Sequence, residues 1–285
     1  MKKIVFFDID GTLIDDATQT LPESALEAVA ALRRQGHLAI LNTGRPYSHI
    51  DPRVLQGTWD GCVCGCGMEV RAGNRTLHQV LPDPALCRRM RELVRACNLD
   101  PLFEANGCMI LDGTRPQGPQ VKLEAQRMAA KGIPVTLDPD RPDFTFEKLV
   151  VFDLGQADMT RFQAEAGRDF TLIDRGGGMT EAVLLGNSKS TGIHRILDHY
   201  HLSREAAFAF GDSANDLPMF QCVATPIAMG GSPLAVQQAA VYTTGTVLEN
   251  GIQQGLRHFG FWLALCKVIA ILAFIFLGAV AISGF

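Results

Sequence analysis

The run Ile4-Val5-Phe6-Phe7 is apolar without a break and stops at Asp8. Consecutive apolar residues closed by a charge suit a strand buried on both faces, and such strands belong to parallel sheets covered by helices. Thr20-Leu21-Pro22-Glu23 then has the form of a capping box, and Leu26, Val29 and Leu32 follow at helical spacing until Gly36 ends the segment. His37 to Leu41 is a second short apolar strand, running into Asn42-Thr43-Gly44-Arg45. Strand, helix, strand is a βαβ unit, so the two strands are expected to be parallel and the sheet to lie between helices.

The far end repeats this order. Ser188 to Tyr200 reads as a helix, Ala206 to Phe210 as a strand, and Gly211-Asp212 follows at the strand's carboxyl end. Another helix is expected from near Asn215, and a further strand over Val223 to Ala228. The middle differs in character, with prolines at 82, 84, 116, 119, 134, 139 and 142 and alternating segments at Leu149–Leu154 and Met179–Leu185. The expectation is a doubly wound, three-layer α/β core of Rossmann-like type from residues 1–82 and 186–258. An α+β cap over 83–185 is inserted between its halves, and a hydrophobic tail follows over 259–285.

A chain of 285 residues can bury a substantial core. Its net charge of -4 is mild and no basic tract occurs, which argues against a nucleic-acid partner. The apolar start is too short for a secretory signal and the eight cysteines are scattered, so reduced thiols in a cytoplasmic domain are expected. Cys62, Cys64 and Cys66 alternate, but their spacing is not that of a zinc knuckle, and small residues on a tight strand are the better reading.

Four short motifs each fall just after a predicted core strand, which is where ligands bind in an open parallel sheet. Asp8-Ile9-Asp10-Gly11-Thr12-Leu13 offers two carboxylates that can aim at one point, with Gly11 freeing the backbone to turn. Thr43-Gly44-Arg45 offers a hydroxyl and bare amides to an anion. Lys189 stands at a helix start, where a cation and free amides could face a phosphate. Gly211-Asp212-Ser213-Ala214-Asn215-Asp216 completes the set. Together these turns would gather Asp8, Asp10, Asp212 and Asp216 around one lysine. Carboxylates so close push one another toward protonation unless a hard cation compensates, and an all-oxygen donor set favours Mg2+ over zinc or copper. The balance leaves charge for a metal and a phosphate dianion, which points to phosphoryl chemistry.

In order and spacing, these motifs resemble the four signature motifs of the haloacid dehalogenase superfamily, and in particular the Cof-like phosphatases with a large cap between the second and third motifs. Ala228-Met229-Gly230-Gly231 and Glu249-Asn250-Gly251-Ile252 are also similar to that subfamily's ending, so the resemblance runs from about Lys3 to Arg257. It implies a Mg2+-dependent phosphatase acting on a small phosphorylated metabolite, such as a sugar phosphate or a nucleotide-like cofactor. Asp8 would be the nucleophile that forms an aspartyl-phosphate, and Asp10 the acid and base. Asp8, the Asp10 backbone carbonyl and Asp212 would hold Mg2+; Thr43, Gly44, Lys189 and Asn215 would hold the phosphoryl group. Asp216 would fix Lys189 or a metal-bound water. The sequence departs from the subfamily where an Asn-Gly pair is usual before the cap, since Cys66-Gly67 stands there.

Blander readings attach to several positions. Asn187-Ser188 could cap a helix whose first lysine is solvated. His199 and His201 at a helix end should splay to solvent. Arg88, Arg89 and Arg91 read as a charged outer helix face, and Gly176-Gly177-Gly178 as a hairpin connection. Phe261 to Ile282 is apolar apart from Lys267 and would span about 33 Å as a helix, so a membrane anchor behind a cytoplasmic catalytic domain is expected. A phosphomutase using the same aspartate, or a retired enzyme kept as a membrane-tethered binding protein, are the alternative functions.

Overall fold

The structure is a computed structural model, and it describes residues 1–261. Side chains of a strand point alternately to its two faces. In β1 (Ile4–Phe7), Val5 and Phe7 join one apolar cluster while Ile4 and Phe6 join another on the opposite face. β2 (Leu38–Asn42) divides in the same way, Ala39 and Leu41 to one side, Leu38 and Ile40 to the other. A sheet buried on both faces needs a helix layer on each. The helix Glu23–Arg34 supplies Ala28, Val29 and Leu32 to the first cluster. The helix Lys189–Tyr200 supplies Ile193, Ile196 and Leu197 to the second.

β3 (Gly61–Cys64), β4 (Glu69–Ala72) and β5 (Arg75–Gln79) extend the sheet on one side. β12 (Ala207–Gly211), β13 (Thr225–Ala228) and β14 (Tyr242–Thr243) extend it on the other, giving the order β14-β13-β12-β1-β2-β3-β4-β5. β14 through β3 are parallel, while β3–β4 and β4–β5 pair antiparallel, so the sheet is mixed. The chain winds outward from β1 in one direction and from β12 in the other. The crevice at the carboxyl ends of β1 and β12 is therefore a topological switch point.

Between Gln79 and Ala207 the chain builds a second sheet: β6 (Asp100–Ala105), β7 (Cys108–Leu111), β8 (Val135–Thr136), β9 (Lys148–Phe152), β10 (Phe170–Gly176) and β11 (Met179–Leu184). Its order is β10-β11-β9-β6-β7-β8, antiparallel except for β7–β8. Helices Pro84–Ala96 and Met159–Ala166 cover one face through Met90, Leu93, Val94 and Phe162. Helix Pro119–Ala130 covers part of the other through Val121 and Met128.

Several expectations change against this structure. The capping box at Thr20–Glu23 does not form: the first helix begins at Glu23 behind Pro22 with no side-chain cap, and the Thr20 hydroxyl accepts from Thr18. Lys189 follows β11 of the second sheet rather than a strand of the first. Cys62 and Cys64 are buried on β3 as expected, but Cys66 sits beyond the strand in a left-handed conformation at φ 52°. Gly176-Gly177-Gly178 lie at the hairpin between β10 and β11, Arg89 and Arg91 pair with acids outside the crevice, and His201 caps a helix at the surface. The expected membrane helix lies, apart from its first residue Phe261, outside the described residues. Phe261 is buried beside Phe208 and His37. Among the described residues no helix is long and apolar enough to cross a membrane.

Candidate active site

Asp8 follows β1 and Asp212 follows β12, and the register of those neighbouring strands sets the two carboxylates side by side. Gly11 lies at φ +74°, and a Cβ there would stand 2.3 Å from an Asp212 carboxylate oxygen. Only glycine lets the loop turn that tightly under a neighbouring acid. Thr12 donates its hydroxyl to Asp212 at 3.2 Å. Oxygens of Asp8, Asp212 and Asp216 all lie within 4.8 Å of one another.

The third motif enters from the opposite layer. Ser188 caps the helix Lys189–Tyr200 in a reciprocal capping box with Thr191, and the helix start thereby delivers Lys189 to the acids. Lys189 is 2 % exposed, which removes the reading of a solvated cap lysine. Its ammonium lies 2.9 Å from Asp8 and 2.7 Å from Asp216. Asp216 is otherwise spent, since its second oxygen accepts from the backbone amides of Asp212 and Ser213.

Burial raises the Asp8 carboxyl, and the charge of Asp216 adds to the rise against the pull of Lys189. Burial likewise raises Asp212, and Asp8 and Asp216 add to it. One lysine thus fails to neutralise three acids, and this mismatch is the observation that tests a metal. The donor set is all oxygen and Asp216 is occupied, so Asp8 and Asp212 are the carboxylates free to bind a hard divalent cation.

Asp10 is placed differently from the expectation of four clustered carboxylates. Arg45 grips it with two hydrogen bonds, at 2.6 and 2.8 Å. Burial alone would raise Asp10, but the guanidinium outweighs it and holds the carboxyl at about 2. Arg45 also reaches the Met128 sulfur at 3.6 Å, on a helix of the second sheet. Thr43 is buried, and its hydroxyl accepts from the Arg45 amide at 3.1 Å. A Cβ on Gly44 would lie 3.4 Å from both the Lys148 ammonium and the Cys66 sulfur.

Asp8, Asp10, Thr43, Gly44 and Asn215 line one cavity of about 240 Å³ between the two sheets, beneath which Lys189 is buried. The second sheet closes it with a belt of alternating charge that sequence reading missed. Lys148 lies 3.2 Å from Glu181 and 3.9 Å from Glu104, and Arg175 lies 3.8 Å from Glu181. Burial would lower Lys148, but Glu181 and Glu104 raise it above the ordinary range. The alternation of Lys148, Val150 and Phe152 along β9 is the one signal that could have placed Lys148 on a shared face with Val150.

A sheet with helices on both faces and clustered acids at its switch point makes this a doubly wound α/β protein with an acidic ligand-binding crevice. The family model for haloacid dehalogenase-like hydrolases matches residues 5–256, so the chain belongs to that family. "Putative phosphatase YkrA" of Bacillus subtilis (strain 168) is 28% identical over 262 residues, covering 90% of this chain and 98% of its own. The pyridoxal phosphate phosphatase YbhA of Escherichia coli (strain K12) is 24% identical over 272 residues, covering 88% and 96%. Among solved structures, the subclass IIB sugar phosphatase BT4131 superposes with a TM-score of 0.74 at 23% identity, over 91% of this chain and 100% of that one. A short match of another kind joins 28 residues at 96% identity to the gamma-aminobutyric acid permease of Escherichia coli (strain K12), 10% of this chain and 6% of the permease.

Proposed function

We propose that the chain hydrolyses a small-molecule phosphate monoester in a Mg2+-dependent reaction through an aspartyl-phosphate on Asp8. The observation that carries this reading is a buried Asp8 carboxylate, 2.9 Å from the Lys189 ammonium, at the floor of a cavity that also presents Asp10, Thr43 and Asn215. In that reading an Asp8 oxygen forms a bond to phosphorus as the ester oxygen leaves, and water later cleaves the Asp8–phosphoryl bond. Asp10 must first part from Arg45 and take up a proton from solvent; it then gives that proton to the leaving oxygen and later takes one from the incoming water. Thr43, Gly44, Lys189 and Asn215 align and neutralise the phosphoryl oxygens, which is most of what such a transfer requires. Asp8, Asp212 and the Asp10 backbone carbonyl would hold Mg2+, which when bound supplies the positive charge that lets Asp8 and the phosphoryl group meet.

Residues 83–185 act in this reading as an inserted cap whose sheet shuts the cavity. Substrates resembling sugar phosphates or phosphorylated cofactors fit the names of the relatives. The test is phosphate release from a panel of phosphorylated metabolites, with and without Mg2+, beside Asp8→Asn. Release that needs Mg2+ and vanishes in Asp8→Asn is expected. Metal-independent release, or release by Asp8→Asn, overturns the mechanism, and an isomerised ester in place of free phosphate would identify a mutase.

A further inference from the structure

A second cavity, of about 540 Å³, lies beside the catalytic one and shares Gln19 and Arg127 with it. One wall comes from the first sheet's loops through Gln19, Asp51 and Arg53; the other comes from the end of the helix Pro119–Ala130 through Arg127, Ala130 and Lys131. The charges here do not cancel. Both Asp51 oxygens are taken by Arg53, at 2.7 and 3.0 Å, and Arg127 is paired with Glu124 at 2.7 Å. Lys131 is left over. Its side chain is 8% exposed, its ammonium has no hydrogen-bond partner, and the nearest carboxylate oxygen is that of Asp51 at 3.9 Å. A buried ammonium without an acceptor is costly, and an acceptor supplied from outside would remove that cost.

We propose that this cavity is an accessory oxyanion site, in which Lys131, Arg53 and Arg127 hold a phosphate group between the first sheet's loops and the second sheet's helix. Lys131 supplies the uncommitted charge, and the two arginines donate from their outer nitrogens. The site would also tie down the loop between Asp16 and Gln19. Arg127 already holds the Asp16 carbonyl at 3.2 Å, and Arg53 holds the Gln19 carbonyl at 3.1 Å. Asp16 and Gln19 line the catalytic cavity from its other side, so occupancy next door would be felt there. Two sources share the required chemistry: free inorganic phosphate, and a second anionic group on the substrate itself.

The binding test is equilibrium dialysis of labelled inorganic phosphate against the full chain in chelator. Without a divalent cation the acids of the catalytic cavity repel phosphate, so this measurement is independent of whether Asp8 is the nucleophile. Saturable binding by the wild type is expected, retained in Lys131→Arg and weakened about tenfold or more in Lys131→Met, since a hydrogen bond from a charged group is worth at least that factor. Ala130→Asp, which adds a carboxylate to the exposed wall and leaves Lys131 in place, should weaken it similarly. Absence of binding by the wild type, or equal binding by wild type and both charge-altering variants, overturns the proposal. Kinetics then separate the sources. A KM increase in Lys131→Met confined to substrates with a second anionic group assigns the site to the substrate. An effect of added phosphate on turnover that is lost in Lys131→Met assigns it to free phosphate.

Discussion

At the scale of single residues, the site is a problem in charge that only a ligand solves. Asp8, Asp212 and Asp216 crowd together around Lys189, while Asp10 is withdrawn by Arg45. A carboxyl held at about 2 is a poor proton donor. In the proposed role Asp10 parts from Arg45 to act as acid and base, and Asp10→Asn is then expected to cut turnover by about two to four orders of magnitude, the usual worth of a positioned acid or base. The fold should remain, because an amide can still accept from Arg45. Turnover within a few-fold of wild type, measured by phosphate release, would remove Asp10 from the acid–base role. Asp8, Thr43 and Asp212 were legible in the sequence because a strand end fixes where they stand. Arg45 was visible as part of Thr43-Gly44-Arg45, yet its grip on Asp10 was not, since the pairing depends on how two loops fold over the sheet edge. The Lys148–Glu181–Glu104 belt was hidden for a related reason: three strands distant in sequence contribute to it.

Among the elements, the helix Lys189–Tyr200 has little tolerance. A Cβ on Gly192 would stand 2.2 Å from a Val63 methyl on β3, a buried β-branched side chain with nowhere to turn. Gly192→Ala should lift the helix start, draw Lys189 away from Asp8, and destabilise the protein by about 1–3 kcal/mol in urea unfolding. Pairing it with Val63→Ala should restore both stability and phosphate release. Failure of the pair to recover either would mean that the contact does not set the position of Lys189. The helix itself was readable from its apolar spacing. The identity of the surface it rests on was not, because glycine in a helix carries no periodic signal.

For the whole molecule, the uncompensated acids give a pH signature. Asp8 and Asp212 are raised above the unfolded value of about 3.9, so between about pH 4 and neutrality the folded chain binds more protons than the unfolded one. Stability then falls as pH rises through that window. Asp10 acts in the opposite sense, but its contribution is complete above about pH 4 and is lost only as pH falls toward about 2. In chelator, the melting temperature should therefore drop between about pH 5 and pH 8. Mg2+ should reverse most of the drop, because an ion bound only by the folded chain stabilises it. Asp212→Asn should flatten the slope and blunt the metal's effect. A wild-type melting temperature that rises over this range in chelator, with no response to Mg2+, would contradict the charge account.

β1 is made long before β12, yet they are neighbours in the sheet. Thr12 and its partner Asp212 are 200 residues apart in the chain. During synthesis, Asp8 must wait for some 200 further residues before Asp212 can reach it. A nascent chain that has not reached residue 189 holds Asp8 with neither the Lys189 cation beside it nor Asp212 across from it. Such a fragment has no means of sequestering a metal ion or attacking an ester. On the proposed mechanism, reactivity is withheld until the two halves of the sheet have met, and the same pairing that joins them would switch on the chemistry.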